Sequence, residues 1–480
     1  MKIHFMSKLL PNLPIEDLTV DNDYLGIIDK GQIIKTFLET NTEEFSQIKM
    51  FSLYGEWGSG KSTLMKYLQK ELKGSFNTFF FEAWEFESDS NLSLSLLEFL
   101  TTESQDSTEE AFGEIINTAT KLFKGFVKST KVSFSLGLAK VRIDGDKIVE
   151  AVEEESEETF LQLKKKFKTE FIRWEDFITK GDNPNYNVVF VDDLDRCEPE
   201  NVLNLLSALK LFFTYGEKTI FFCGVDKKAV NEAVKTKYGD VVKANEYLEK
   251  VFDISFTMPE HDNLLKLVTL FFKDKEVSKS LSDFLRDLNF TNPRRVKKLL
   301  NKFLILKTIK QNINVNSKYY SSFPDFYTDE SGNYLETILT LHFIILHEFF
   351  PLKYVDLLDF KKKESNFRDV YAGGSIDNQR VQISQKVKSN ISDKPFSSIK
   401  GKNLNGNFAD YSFALVPNNP VGLTSSSFRI DLFDSFKVER EDIEYKFVLH
   451  LANNLNIFNH SNYFSDCSMI DLKRLIKDVL

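Results

Sequence analysis

Gly55-Glu56-Trp57-Gly58-Ser59-Gly60-Lys61-Ser62 fits the pattern G-x-x-x-x-G-K-[ST], and Thr63 follows it. At ordinary glycine usage, a chance match anywhere in a chain of this length has a probability of about 0.02. Residues 48–54, IKMFSLY, read as a strand before the motif. LMKYLQKEL, with Leu64, Leu68 and Leu72 at helical spacing, reads as a helix after it. Strand, glycine loop and helix in that order form the setting in which such a loop cradles phosphates. Glycines let backbone N–H groups approach phosphate oxygens where a β-carbon would block them. The helix N-terminus adds partial positive charge. Lys61 supplies an ammonium for the β- and γ-phosphates, and the Ser62 hydroxyl supplies a ligand for Mg²⁺. Gly55 to Thr63 are therefore the candidate nucleotide-binding residues.

A phosphate loop needs an acidic partner at the end of a neighbouring strand. VVFV (188–191) is wholly apolar and runs into Asp192 and Asp193. A strand buried on both faces looks like this, which points to a parallel sheet. Asp192 is expected to hold the Mg²⁺ shell, directly or through water. Asp193 is expected to orient or deprotonate the attacking water. TFFF (78–81) and TIFFCGVD (219–226) are further strands, and NVLNLLSALKLFF (201–213) is an amphipathic helix. The alternation predicts an α/β P-loop NTPase fold with a parallel, doubly wound sheet. Residues 1–262 form this core. About 60 residues beyond two βαβ steps are placed as an insertion at about 88–155, which runs into the acidic stretch VEAVEEESEE (149–158).

After residue 260 the pattern turns helical. A helical lid is expected over 263–310 and a polar linker, with Pro324 and Gly332, over 311–333. Residues 334–480 then form a C-terminal α+β region. It carries no convincing catalytic constellation, so it is expected to recognise a protein partner. The segment 294–310 has seven basic residues and no acid. It is either a solvated lid face or a contact strip for nucleic acid or an acidic partner. His342 and His347 are five apart, off the spacing that puts two metal ligands on one helix face. Glu444-Tyr445-Lys446 supplies only half of a nuclease pattern. Trp57 and Trp84 read as packing anchors before base-stacking groups.

Composition narrows the classes. With 46 phenylalanines the chain is not largely disordered. A net charge of −9 removes any global case for nucleic-acid binding. The three cysteines, Cys197, Cys223 and Cys467, form no C-x-x-C pair, against a disulfide framework or a zinc site. The most apolar stretch, 335–350, is shorter than the ~20 residues a bilayer needs and carries Glu336, His342, His347 and Glu348. No transmembrane segment is expected, nor a signal peptide, and the expected location is cytoplasmic. No NKxD-like element follows the aspartate strand, which favours ATP over GTP. AGGSIDNQR (372–380) lies too far on for an ABC-type signature.

Seven segments carry a family resemblance: DYLGIIDKGQIIKTFLET (23–40), GEWGSGKST (55–63), FFFEAWEFE (79–87), VFVDDLDRC (189–197), FFCGVD (221–226), YLEKVFDISFTMPE (247–260) and NPRRVKKLLN (292–301). In this order they resemble the KAP family of P-loop NTPases, a branch of the STAND-like NTPases. The resemblance implies ATP and Mg²⁺ as ligands and a nucleotide-dependent switch or assembly factor. It also implies a role such as phage exclusion, and homo-oligomers are expected. Arg196 would reach a phosphate or lock the strand end. Asp226 ends the strand where related NTPases place a γ-phosphate sensor; the alternative is an N-cap for KKAVNEAV. Arg294 and Arg295 stand where related NTPases place a lid arginine. Many members insert membrane helices between loop and aspartate strand, but residues 121–141 here are too short and too charged to span. Two other readings stand beside the switch: an NTPase-gated nuclease with its active site in the C-terminal region, and a nucleotide-binding scaffold with little hydrolysis.

Overall fold

The computed structural model describes residues 9–358 apart from 90, 105–108, 131–134, 138–139, 143–158, 182, 239–241, 261–263, 318–319 and 321–333. It also describes 443, 446, 447, 450 and 475–480. The chain divides into two compact units, Leu13–Glu260 and Met1–Asn12 with His261–Leu480.

In chain order the first unit contains α1 (Ile27–Thr40), β1 (Met50–Tyr54), α2 (Lys61–Leu72), β2 (Asn77–Glu82), α3 (Leu92–Glu103) and α4 (Glu109–Thr130). A short pair follows, β3 (Ser135–Gly137) with β4 (Lys140–Arg142), and then α5 (Phe160–Ile178) and β5 (Asn187–Asp192). The unit ends with α6 (Pro199–Leu211), β6 (Thr219–Val225), α7 (Lys227–Tyr238), α8 (Val242–Val251) and β7 (Ile254–Thr257). Five strands form one sheet in the order β2-β5-β6-β1-β7, every pair parallel. All their carboxyl ends therefore lie along one edge. The acidic strand β5 is not the direct neighbour of β1, as the sequence suggested; β6 lies between them.

The wholly apolar strands have a physical reason. Every residue of β5 and of β6 is buried. Val189, Val191, Phe221 and Cys223 join one core, and Val188, Phe190, Ile220 and Phe222 join the other. Alternate side chains thus enter opposite layers, as helices on both faces require. On the first face Phe171 stacks on Phe167 at 5.8 Å and on Trp174 at 5.2 Å, and meets Phe213 edge-on at 5.5 Å. The expected insertion is partly core. Leu96, Leu97 and Leu100 of α3 and Ile115, Leu122 and Phe123 of α4 are buried in the same cluster. Ser135–Gly137 and Lys140–Arg142 form the antiparallel pair β3–β4. The acidic stretch 149–158 lies outside the described residues.

The second unit contains α9 (Leu265–Thr269), α10 (Lys275–Asp287), α11 (Pro293–Asn312), α12 (Tyr334–Phe349) and α13 (Pro351–Leu358). Helix α9 packs on α10, and α12 packs on both α11 and α13. Pro293 occupies the first helical position of α11, where a missing N–H costs nothing. Asn292 caps it by accepting the Arg295 N–H at 3.3 Å. In α12, Ile338, Leu341, Phe343, Ile344, Ile345 and Leu346 are buried. No helix among the described residues is long and apolar enough to cross a membrane. Most of 311–333 and all of 359–442, and with them most of the expected C-terminal α+β region, lie outside the described residues.

Candidate functional site

The loop between β1 and α2 turns on its glycines. Gly58 and Gly60 take left-handed conformations, φ 82° and 99°, that L side chains adopt only under strain. A β-carbon on Gly55 would come within 2.5 Å of Ser59 Oγ and 2.7 Å of Met258 Cγ. Lys61 lies under the loop, where its ammonium donates to Gly55 O at 2.9 Å and Glu56 O at 3.3 Å. It also stands 3.6 Å from Asp195 Oδ2. Thr63, the last residue of the expected nucleotide set, accepts a hydrogen bond from the Ile15 N–H at 3.1 Å.

Asp192 closes β5 and is almost wholly buried. It accepts hydrogen bonds from the Ser62 hydroxyl and from its neighbour's N–H. To reach Ser62 it must pass β6, where Gly224 leaves the space: a β-carbon there would lie 2.8 Å from Asp192 Oδ1. Burial pushes the Asp192 carboxyl up against these hydrogen bonds and the Lys61 charge, which favour its ionised form. Its buried Oδ2 has no hydrogen-bond partner. An all-oxygen pair of hydroxyl and carboxylate, with one carboxylate oxygen unengaged, suits Mg²⁺, which keeps several waters. Ser62 and Asp192 are thus the residues able to hold it.

Asp193 leaves the strand in a left-handed turn, φ 57° and ψ 26°, and opens the short 3-10 helix Leu194–Arg196. That helix carries Arg196 back, so its Nε lies 3.1 Å from Asp193 Oδ1. The guanidinium also covers the Trp84 ring at 5.2 Å. Arg196 thus contacts the strand end in this structure. Burial, then the neighbouring Asp192 charge, pushes the Asp193 carboxyl up to about 6, although Arg196 opposes the shift. Glu87 holds the next element, since its Oε1 accepts the Glu198 N–H at 2.7 Å and Asn201 Nδ2 at 3.0 Å at the start of α6. The buried Cys197 thiol is pushed up, chiefly by burial, which makes it a poor nucleophile.

Asp226 spans two elements. Its Oδ1 accepts the Lys228 N–H at 2.9 Å, the N-cap contact for α7. Its Oδ2 accepts the Trp57 N–H at 2.8 Å, in the middle of the phosphate loop. Lys228 and Glu56 form an ion pair above this contact. Both carboxylate oxygens of the expected sensor are thus engaged by backbone, one of them by the loop itself. Trp57 is 55% and Trp84 52% exposed, so neither is a core anchor in this fold. Sequence reasoning missed three features: the clearance at Gly224, the Asp226–Trp57 tie and the Lys61–Asp195 pair. The first two become visible only once β6 is known to separate β1 from β5.

Arg294 and Arg295 begin α11 in the second unit. The basic strip there is largely engaged within that unit. Arg295 lies over the Phe349 ring at 5.7 Å, Lys307 over Phe272 at 5.9 Å and Lys310 over Tyr320 at 3.9 Å. Lys298 pairs with Glu348 at 2.6 Å, and Lys302 pairs with the same carboxylate. Burial alone would raise Glu348, but hydrogen bonds from the two lysines outweigh it and hold the carboxyl below its ordinary value. Among the described residues no His, Cys, Asp and Glu form a metal-binding group of three or more. Glu444 and Tyr445 lie outside the described residues.

A glycine loop capping a helix, a buried lysine and a carboxylate crossing one intervening strand define a nucleotide-binding P-loop domain. Residues 31–310, more than half of the chain, match the KAP family P-loop domain, and the chain belongs to that family. It is also similar to two proteins of Methanocaldococcus jannaschii. Uncharacterized protein MJ0181 is 26% identical over 227 residues, 41% of this chain and 91% of that protein. Uncharacterized protein MJ0182 is 31% identical over 172 residues, 30% of this chain and 88% of that protein.

Proposed function

We propose that the chain binds and hydrolyses ATP and acts as a nucleotide-dependent switch or assembly factor. One observation carries the reading. Lys61 and Ser62 open α2 beneath the glycine loop, and the Ser62 hydroxyl donates to the buried Asp192. Lys61 would hold the β- and γ-phosphates, and loop N–H groups would take the remaining oxygens. Mg²⁺, when bound through Ser62 and Asp192, would neutralise phosphate charge. Asp193 would accept the proton of the attacking water or orient it, after Arg196 yields its oxygen. One of Arg294 and Arg295 would act as the lid arginine, where charge develops in the transition state.

Calorimetry with MgATP tests the reading. The parent is expected to bind saturably and Lys61→Ala to lose binding, because no other group supplies that point charge. Unchanged affinity in the variant would sink the assignment. Asp193→Asn is expected to bind ATP yet hydrolyse it at least about 100-fold more slowly. Arg294→Ala with Arg295→Ala should weaken hydrolysis more than binding. The C-terminal region is assigned to a protein partner, and homo-oligomers are expected. Because α12 packs on α11, partner capture is best compared on the full chain with and without nucleotide. The family resemblance extends the reading to phage defence, for which plating efficiency on cells carrying the parent or Lys61→Ala is the measurement.

A further inference from the structure

Asp195 has no part in the reading above. It sits in the 3-10 turn after Asp193. Its Oδ2 lies 3.6 Å from Lys61 Nζ, and both side chains are only 6% exposed. That oxygen has no hydrogen-bond partner. Burying a carboxylate oxygen without a donor is costly unless a counterion stands close by. Lys61 is that counterion, and it is also the cation on which nucleotide phosphates would depend.

The charge of Asp195 is felt by its neighbours as well, since it acts on both Asp192 and Asp193. Three carboxylates thus share a small volume with Lys61 and Arg196. Phosphates arriving without a metal meet the Asp195 carboxylate beside Lys61, and Lys61 must give up one anion to take another. Phosphates arriving with a divalent cation bring the charge that the displaced carboxylate needs.

We propose that Asp195 is the resident counterion of Lys61, displaced by nucleotide phosphates, and that it makes nucleotide binding depend on the accompanying divalent cation. The inference rests on the nucleotide-binding reading and deepens it. The neighbouring acids have other duties: Asp192 faces Ser62, and Asp193 faces Arg196.

The test is the affinity for ATP with EDTA and for ATP with excess Mg²⁺, in the parent, Asp195→Asn and Asp195→Glu. Asp195→Asn should bind metal-free ATP about tenfold more tightly, with less than about a threefold change for MgATP. Asp195→Glu retains the charge and should keep the parental preference for MgATP. If Asp195→Asn does not fold, Asp195→Ser gives the same readout with a smaller side chain. A metal dependence unchanged in Asp195→Asn overturns the inference, as does a selective loss of MgATP binding, which would place Asp195 in the metal shell. A parent that binds neither form overturns the nucleotide reading as well, so the two failures are distinguishable.

Discussion

Gly224 clears the way for Asp192: a β-carbon at position 224 would lie 2.8 Å from Asp192 Oδ1 and 3.0 Å from Met65 Sδ. The two residues follow Val191 and Cys223, which are paired across β5 and β6. Met65 can yield by rotating its thioether, but the carboxylate cannot move without leaving Ser62. Gly224→Ala should therefore lower turnover by about 100-fold, the scale of a misplacement near 1 Å, while nucleotide affinity changes less. Overpacking should also cost about 1–3 kcal/mol of stability. Parallel measurement of kcat, Kd and urea midpoint separates the effects.

On its proposed role, Asp193 should set a pH dependence. Its carboxyl is raised to about 6, so it is ionised and able to accept a proton only above that pH. Turnover should fall as pH drops through about 6, while nucleotide affinity holds. Because the folded-state value lies above that of the unfolded chain, ionised Asp193 opposes folding. That penalty is present above about pH 6 and is relieved as pH falls toward 4. Arg196→Gln removes the charge that restrains the shift, so the acid limb of the rate profile should move to higher pH. An unmoved limb would separate Arg196 from Asp193.

The Asp226–Trp57 contact gives a different signature. Asp226→Ala frees the loop backbone and removes the cap of α7 at once. The cap alone should cost about 1 kcal/mol. Asp226→Asn keeps an acceptor oxygen for either contact and should recover part of the loss. If Asp226 only sensed the γ-phosphate, ADP binding would be untouched by either change. The brace predicts weaker ADP and ATP binding alike, which a titration with each nucleotide decides.

Phe171 tests the core apart from the site. It contacts Phe167, Trp174 and Phe213 and is fully buried. Phe171→Ala should cost about 3–5 kcal/mol, read as a fall in the denaturation midpoint. The cluster adjoins Gly216, before the first residue of β6 and so away from the carboxyl edge that carries the loop. The fraction that remains folded should bind nucleotide with parental affinity.

What could be read from the chain follows from the range of the interactions. The phosphate loop, β1 and α2 form one continuous stretch whose glycines and spacing act locally. The strands 188–191 and 219–225 are recognisable because burial on both faces demands unbroken apolar runs. Strand order is a different matter, since nothing local states that β6 separates β1 from β5. The special role of Gly224 depends on that order. Asp226 reaches Trp57 across 169 positions, a distance at which periodicity is silent. Lys298 and Lys302 advertise a basic helix face, but only the packing of α12 on α11 shows that Glu348 answers it. The helices α3 and α4 fell in a stretch assigned as surplus, because length arithmetic counts residues and does not see which of them join a core.

The backbone at Asp193 ties chemistry to chain geometry. A left-handed turn after β5 admits glycine, asparagine and aspartate with little strain, and few other residues. Replacement by glutamate, the nearest acid, would keep the charge but strain the turn. Replacement by asparagine or glycine would keep the turn and lose the carboxylate. Drift at this position therefore has few destinations, and on the proposed role of Asp193 the structurally silent ones would be inactive. A descendant that abandons hydrolysis while keeping the fold should carry asparagine or glycine here, so a single position would tell enzymes from retired scaffolds.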